Sequence, residues 1–420
     1  MYNILILGSG GREHALGWKL AQSPLCGKLF FGPGNAGTPE LGTNVDLSPM
    51  AFKDVEQAVD RLKIDFLIVG PEAPLVAGIT DHFRQHEVKV IGPSQAAAHL
   101  EGSKSFANAF MAQYGIPTAA SVDITKDNIT EGYKLISDTQ GKIVLKADGL
   151  AAGKGVLILE DKTEAKEQLD AMILETKFGV ASETVVIEQF LDGLEFSVFV
   201  LTDGKDYQLL PIAKDYKKIG EGDTGLNTGG MGAVSPVPFV STEMMEKVRH
   251  RIIEPTIQGL LGERMDYMGF IFFGLIEVNG DPYVIEYNCR LGDPETEVIL
   301  PRLESDLLQM LVDLHEGRLT NSEVKISDKS AATIMLVSEG YPEAYEKGKP
   351  ITLDRSIKAS QVFHAGTRMD GHDMITNGGR VMAITSLGVS IPEALKQSRE
   401  SISGVHFPGM HYRKDIGFDL

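Results

Sequence analysis

The chain has 420 residues, 43% hydrophobic and 23% charged, so two to four domains are expected and disorder as the dominant state is excluded. The net charge of −18 argues against a nonspecific binder of nucleic acid or of anionic membranes. With only Cys26 and Cys289, neither a disulfide framework nor a cysteine zinc site organises the fold. We expect a cytoplasmic monomer or weak homodimer with no nucleic-acid or membrane partner. The 45 glycines, which lack a collagen-like period, need another explanation.

Four short apolar runs lie in the first hundred residues, at 3–7, 28–31, 66–69 and 88–91. Each run ends in a loop that contains glycine, and helical stretches separate the runs. This alternation is typical of a parallel sheet with helices on both faces. Ligands of such sheets bind at the carboxyl ends of the strands, where these glycine loops lie.

The rest of the chain has a different pattern. Its predicted helices cover 95–113, 163–175, 302–315 and 391–403. Its predicted strands cover 143–147, 155–159, 184–189, 195–201, 267–278, 283–288, 331–337 and 379–385. The Asn279-Gly280 pair between two alternating runs predicts a hairpin. A polar stretch after Gly317 is a candidate linker.

The first glycine loop, at 8–11, follows a strand and precedes a helix. It does not complete a dinucleotide-binding fingerprint, because Glu13 stands where the third glycine belongs. Free N–H groups at a helix N-terminus still favour phosphate. The loop is therefore either part of a mononucleotide or sugar-phosphate pocket, or a tight turn without a ligand.

A second glycine loop, at 146–156, lies between two strands, so it is not a Walker A loop. It can fold over a nucleotide triphosphate, with Lys146 supplying positive charge, or it is a solvated hairpin. A further glycine-rich loop, at 223–233, follows the cations of 214–218 and suits close backbone approach to a ligand, or motion.

Glu286 and Asn288 share one face of a predicted strand, since residues two apart point the same way. Their side-chain oxygens suit Mg²⁺, although such a pair is also common on an exposed strand face. Arg290 continues this face if the strand persists, and could then hold a phosphoryl group.

Together these segments resemble the ATP-grasp superfamily and, within it, the glycinamide ribonucleotide synthetases. The matching strings are GSGGREHA at 8–15, GPEAPL at 70–75, LEGSKSF at 100–106, KADGLAAGKGV at 146–156, GDTGLNTGGMGAVSP at 222–236, VIEYNCRLGDPETE at 284–297 and VFHAGT at 362–367. They span nearly the whole chain in the family's order.

The resemblance implies an α/β and α+β multidomain fold. Residues 1–103 would form an N-terminal parallel-sheet domain on the phosphoribosylamine side. Residues 104–318 would form a two-lobed ATP-grasp domain with a small lid lobe at about 121–191. Residues 319–420 would form a small C-terminal mixed α/β domain.

It also implies a reaction. ATP, glycine and 5-phosphoribosylamine would give glycinamide ribonucleotide, ADP and phosphate through a glycyl phosphate, as a step of de novo purine biosynthesis. Phosphorylation gives the glycine carboxylate a leaving group, and positioning with cation shielding of the triphosphate would supply most of the rate.

The implied site residues fall into four sets. ATP would be held by Lys104, Lys146, Gly153, Gly155, Glu188, Leu191 and Glu195. The metal, Mg²⁺ or Mn²⁺, would be held by Glu286 and Asn288. The catalytic set would be Arg290, Lys146, Asp215 and Lys217. The phosphoribosylamine pocket would be lined by Gly10, Gly11, Arg12, Asn35, Glu72, Gly292, Asp293, Pro294 and Glu295.

Other functions are also compatible with the sequence. An ATP-grasp carboxylase, or a phosphoribosyl carboxamide ligase that uses another nucleophile, would share most of these residues. A nucleotide-binding regulatory protein on a dead ligase fold is disfavoured because Lys146, Glu286, Asn288 and Arg290 are all present. A nicotinamide oxidoreductase lacks support, because the third glycine and the ribose-binding acid are missing.

Overall fold

The computed structural model of the chain describes residues 1–150, 155–321, 323–354, 357 and 359–420. The N-terminal elements alternate between strand and helix, as the sequence predicts. In chain order they are β1 (Tyr2–Gly8), α1 (Gly11–Leu20), β2 (Cys26–Pro33), β3 (Thr43–Asn44), α2 (Phe52–Leu62), β4 (Phe66–Val69), α3 (Glu72–Val76), α4 (Ile79–His82), β5 (Lys89–Ile91), α5 (Gln95–Gly102) and α6 (Lys104–Gln113).

The N-terminal strands form one parallel sheet in the order β3-β2-β1-β4-β5. The central strands are almost wholly apolar and buried, because helices cover both faces of the sheet. This confirms the predicted parallel sheet. The glycine loops after β1 and β2 therefore meet at its carboxyl edge.

A separate four-stranded antiparallel sheet has the order β6-β9-β7-β8. Its elements are β6 (Ser121–Thr125), α7 (Ile129–Asp138), β7 (Ile143–Ala147), β8 (Val156–Leu159), α8 (Lys162–Ile173) and β9 (Thr184–Gln189). We call residues 121–189 the lid lobe. It has its own apolar core, which includes Ile124, Leu145 and Leu169.

The next segment is built on a second antiparallel sheet, in the order β11-β10-β16-β17. Its elements are β10 (Leu194–Thr202), β11 (Tyr207–Leu209), β12 (Lys214–Asp215), β13 (Lys218–Gly220), β14 (Thr224–Asn227), β15 (Gly232–Ser235), α9 (Thr242–Val248), α10 (Glu254–Gly262), β16 (Gly269–Val278) and β17 (Asp281–Asn288). The predicted hairpin is present: Asn279 and Gly280, both at positive φ, form the two-residue turn between β16 and β17.

The last elements complete a five-stranded antiparallel sheet in the order β12-β15-β18-β23-β20. They are α11 (Thr296–Arg302), α12 (Leu307–His315), β18 (Ser330–Val337), β19 (Thr352–Leu353), β20 (Gln361–His364), β21 (Thr367–Asp370), β22 (Asp373–Thr376), β23 (Arg380–Gly388), α13 (Ile391–Ile402) and β24 (Val405–His406). Strands from 214–235 thus pair with strands near the C-terminus. One apolar core joins this sheet to β1 and β2.

Three local predictions were wrong. The predicted helix at 95–113 is two helices, because Ser103 is extended and its hydroxyl accepts from Phe106 N, capping α6. The predicted helix at 302–315 begins only at Leu307, where Asp306 is the cap, and a separate helix, α11, precedes it. The glycine-rich loop at 223–233 contains β14 of a hairpin and the start of β15.

Within the described ranges, no helix is long and apolar enough to cross a membrane.

Candidate functional site

Lys146 and Glu188 are paired on the inner strands of the lid lobe. The Lys146 ammonium lies 2.6 Å from a Glu188 oxygen, and both side chains are more than 90% buried. Lys146 Nζ also donates to the Ile285 carbonyl at 3.2 Å. The lysine therefore links the lid lobe to β17.

Lys104 begins α6 and faces the same seam. Its ammonium donates to the Gly149 carbonyl at 3.1 Å, and burial lowers its pKa, although Glu286 and Asp148 oppose that shift. Asp148 in turn accepts from Ser105 N at 3.1 Å. The start of the predicted flap is thus tied to α6.

The other predicted nucleotide contacts lie around this seam. Leu191 is half-buried in the connection between β9 and β10. The carbonyl of Gly155 accepts from Ala147 N at 2.8 Å where β7 and β8 meet. Gly153 lies outside the described residues.

Glu286 and Asn288 share one face of β17, as the sequence predicts. The Asn288 amide lies 3.5 Å from Glu286 Oε1. Gly274 stands opposite Glu286 on β16, where a Cβ atom would come within 3.0 Å of Glu286 Cγ. The carboxylate and amide oxygens are donors that Mg²⁺ accepts, so the pair fits a metal shared with phosphate oxygens and water. No cluster of three or more His, Cys, Asp or Glu side chains in the described part of the chain forms an all-protein metal site.

Lys217 lies between two carboxylates. Its ammonium is 2.7 Å from Glu195 and 3.2 Å from Asp215. Burial acts to lower the pKa of Lys217, but Asp215, Glu195 and Glu286 outweigh it and raise that pKa. The charge of Lys217 lowers the pKa of Glu195, whereas burial raises that of Asp215. Lys217 therefore stays cationic beside the face that carries Glu286.

Arg290 follows the end of β17 and does not continue its face. Its guanidinium lies 2.7 Å from Glu101 and 3.6 Å from Glu72. Glu101 is buried, also accepts from Cys289 N, and was not predicted as a site residue. Glu101 lies inside the LEGSKSF string at 100–106, but no local pattern shows that it faces Arg290.

The loop at 8–11 is held by Glu13. The Glu13 carboxylate accepts from Gly10 N and from Arg12 Nε, each at 2.6 Å. Its side chain lies against Gly8 and Gly70, where a Cβ atom would overlap it. The Gly10 N–H that the sequence offered to phosphate is thus already used, while Gly10 and Gly11 still place Arg12 at the strand edge.

Asn35 organises the loop after β2. Its side-chain amide donates to the carbonyls of Ser9 at 3.0 Å and His364 at 2.8 Å, and its Oδ1 accepts from Gly37 N. The side chain is buried with both ends occupied. Asn35 therefore ties the first two glycine loops to β20.

The turn at 292–295 brings Asp293 to Arg12. Asp293 accepts from Arg12 N at 3.3 Å and lies 3.0 Å from Arg380 Nη2. Burial opposes ionisation of Asp293, but Arg380 and Arg12 outweigh it and lower its pKa. Gly292 leaves room for the Glu295 side chain, and Pro294 packs on Gly230. Arg380 was not predicted; the Gly378-Gly379 pair before it was its only local signal.

Glu295 and Glu297 are buried acids. Burial, with Asp215, raises the pKa of Glu295 to about 7, and Ser197 Oγ lies 3.3 Å from its Oε1. Glu297 lies beside Gly11 with no hydrogen-bond partner for either carboxylate oxygen within the described structure. Burial and Asp293 raise the pKa of Glu297. No sequence pattern indicates that Glu295 and Glu297 are buried or that their pKa values are raised.

The predicted residues therefore form two groups, one beside Glu286 and one beside Arg290. One surrounds the seam between the lid lobe and β17, with Lys104, Lys146 and Glu188. The other surrounds the carboxyl edge of the N-terminal sheet, with Arg12, Glu72 and Asp293. Lys217 connects them electrostatically, because Glu286 raises the pKa of Lys217 and the charge of Lys217 opposes the raised pKa of Glu295.

Comparisons with known proteins cover the whole chain. Three family descriptions match: the N domain of phosphoribosylglycinamide synthetase at residues 2–101, its ATP-grasp (A) domain at 102–296, and its C domain at 331–419. Phosphoribosylamine–glycine ligases of Chlorobaculum tepidum and Pasteurella multocida are each 44% identical to this chain. The alignments cover 99% of this chain and 99% and 97% of the relatives.

Solved structures give the same result for the fold. The phosphoribosylamine–glycine ligase of Thermotoga maritima superposes with a TM-score of 0.87 at 36% identity, over 98% of this chain and 99% of that one. A biotin carboxylase of Campylobacter jejuni superposes with a TM-score of 0.74 at 16% identity, over 99% and 93% of the two chains. The second likeness concerns the fold alone. Together these comparisons confirm the multidomain fold class and the resemblance drawn from the motifs.

Proposed function

The chain belongs to the phosphoribosylglycinamide synthetase family, and on that premise we propose that it joins glycine to 5-phosphoribosylamine at the expense of ATP. The products are glycinamide ribonucleotide, ADP and phosphate, a step of de novo purine biosynthesis. The observation that carries the proposal is the convergence of Lys104, Lys146 and the Glu286–Asn288 pair at the seam between the lid lobe and β17. Cations beside oxygen ligands are what a triphosphate with a divalent metal requires.

We place ATP in this seam between the lid lobe and β17. Lys104 and Lys146 face its phosphates, Glu188 and Leu191 lie beside the adenine, and Glu195 faces the ribose hydroxyls. Lys146 is buried and paired with Glu188. Its ammonium therefore gains a phosphate partner without being newly desolvated, because it is already buried.

Glu286 and Asn288 are the residues that would hold Mg²⁺ or Mn²⁺. When bound there, the ion would neutralise charge on the triphosphate oxygens. Gly274, opposite Glu286, keeps the strand surface open at this point.

Glycine reacts first. One oxygen of its carboxylate bonds to the γ-phosphorus as the bond to the β-bridging oxygen breaks, which gives glycyl phosphate and ADP. Arg290 and Lys217 supply positive charge for the transferring phosphoryl group. Glu101 and Glu72 orient Arg290, and Asp215 and Glu195 orient Lys217.

The amine of phosphoribosylamine then attacks the acyl carbon, phosphate leaves, and the amine nitrogen gives up a proton. The pocket for this substrate lies at the loops of 8–11 and 292–295, with Arg12, Asn35 and Glu72. The lid lobe excludes water from the acyl phosphate.

The test is ADP release from the purified chain with ATP, Mg²⁺, glycine and freshly made phosphoribosylamine. We expect release that requires both glycine and the amine. Release that requires bicarbonate in place of glycine would identify a carboxylase instead, and no glycine-dependent release would refute the proposal.

We also propose that the enzyme acts in the cytoplasm as a monomer or weak homodimer, without nucleic-acid or membrane partners. The net charge of −18 and the two free cysteines support this. Light scattering across a concentration series tests the oligomeric state, and a stable higher oligomer would contradict it.

A further inference from the structure

A cavity of about 550 Å³ lies between the N-terminal glycine loops and the C-terminal strands. Its walls combine residues of the loops after β1 and β2 with residues of β21 and of the segments that flank the β21–β22 hairpin. They include Gly10, Gly34, Asp293, Arg368, Gly378 and Arg380. The volume is ample for a phosphorylated pentose, and the lining includes the charged side chains of Asp293, Arg368 and Arg380.

The two arginines of this cavity differ in how much charge they offer a ligand. Arg380 lies 3.0 Å from the Asp293 carboxylate and donates to the Asp293 carbonyl at 2.6 Å, so its charge is already balanced. Arg368 is about half exposed, and its closest carboxylate, that of Asp370, is 3.8 Å away. That separation is too long for a hydrogen bond, so the Arg368 guanidinium is available to an anion.

The glycines at 34, 366 and 378 are among the residues that line the cavity. Gly366 and Gly378 pack on each other so closely that a Cβ atom on Gly366 would lie 2.5 Å from Gly378 Cα. Gly34 has a φ of +72°, and a Cβ atom on it would overlap the side chains of Asn44 and Thr38. Side chains at these positions would collide with neighbouring protein atoms, so glycine lets the loops and strands that line the cavity pack closely.

The cavity adjoins the proposed reaction centre. Gly10 and Asp293 line it, and Asp293 also accepts from Arg12 N at the start of α1. The charges of Arg290 and Arg12 both lower the pKa of Glu72. A ligand could therefore place one end near Glu72 and Arg290 and its other end near Arg368.

We infer that this cavity binds the 5-phosphate end of the sugar-phosphate substrate, with Arg368 as the cation that recognises the phosphate. The inference rests on the proposed function and extends it to the C-terminal part of the chain. The C1 amine then points toward Arg290, where the acyl carbon is attacked. Arg368 acts on binding and takes no part in phosphoryl transfer from ATP.

The test compares Arg368→Ala with Arg249→Ala in steady-state kinetics. Arg249 is a matched control, because its side chain is 48% exposed against 49% for Arg368, it also lies near a carboxylate, and it does not line the cavity. We expect Arg368→Ala to raise the KM for phosphoribosylamine about tenfold or more, since a charge-assisted phosphate contact is lost. The kcat and the KM values for ATP and glycine should change less than twofold, and Arg368→Lys should recover part of the loss.

Direct binding separates this inference from the proposed function. Calorimetry with ribose 5-phosphate, ribose and inorganic phosphate needs no turnover. Binding of ribose 5-phosphate that is weakened by Arg368→Ala but not by Arg249→Ala supports the subsite. Equal binding by the two variants, or an unchanged KM for phosphoribosylamine, would overturn it even if glycine-dependent ADP release is normal.

Discussion

Glu295 offers a sharp test of how burial governs an acid in the candidate site. The residue is 4% exposed, and burial together with Asp215 raises its pKa to about 7 from a usual value of 4.5. The native state therefore holds a proton on Glu295 at pH values where the unfolded chain has released it. Stability from this group is complete below about pH 4.5 and declines as the pH rises toward 7.

The magnitude follows from the difference between the two pKa values. A separation of roughly 2 to 3 units corresponds to about 3 kcal/mol of unfolding free energy, lost between pH 4.5 and 7 and constant above that. Replacing Glu295 by Gln removes the ionisation and keeps the shape. We expect Glu295→Gln to be about 2 to 3 kcal/mol more stable relative to wild type at pH 8 than at pH 5.

The assay is urea unfolding at pH 5, 6, 7 and 8, with Glu87→Gln as the control because Glu87 is exposed. The difference between Glu295→Gln and wild type should grow up to about pH 7 and then level off. The control should follow wild type throughout. A difference that does not change with pH would refute the assignment of a raised pKa to Glu295.

Three further predictions follow from the ion pairs and the proposed metal ligands. Glu286→Ala should abolish ADP formation while leaving the urea midpoint unchanged, because the side chain is only half-buried; near wild-type rates at saturating Mg²⁺ would contradict this. Lys146→Met should lower the unfolding free energy by about 3 kcal/mol, since it leaves Glu188 buried without its cation. The double variant Lys146→Met/Glu188→Leu should recover most of that loss, and strictly additive losses would show that the pair is not coupled. Asp419→Ala should lower the free energy of unfolding in urea by about 1–3 kcal/mol, because Asp419 lies 3.2 Å from the buried ammonium of Lys214. An unchanged midpoint would count against a structural role for the C-terminal segment.

Much of the fold could be predicted because its signals are local. Apolar runs that stop at glycine loops identified the parallel sheet, and the Asn279-Gly280 turn identified the β16–β17 hairpin. The breaks at Ser103 and before Leu307 were missed, because a serine or aspartate inside a helical pattern acts as a cap only where the backbone is extended. The pairing of β15 with β18 joins residues about one hundred positions apart, and no local pattern predicts it.

The candidate site divides in a similar way. Glu286 and Asn288 could be placed together from strand periodicity alone. Their roles, like those of the other predicted site residues and the domain boundaries, stay predictions. The partners Glu101, Arg380 and Glu13 could not be foreseen as partners, because burial and ion pairing depend on which distant elements meet.

The lid lobe is joined to the rest of the protein by the two chain segments at its ends and has an apolar core of its own. In contrast, one apolar core unites the N-terminal and C-terminal sheets. The contacts of the lid lobe across the seam, such as Lys146 with the Ile285 carbonyl, are polar. Such a unit can unfold locally while the remainder stays folded, so its amide hydrogens should exchange with solvent as a separate cooperative group. A nucleotide bound across the seam would couple the two units, and the exchange of the lobe would then slow in proportion to nucleotide occupancy.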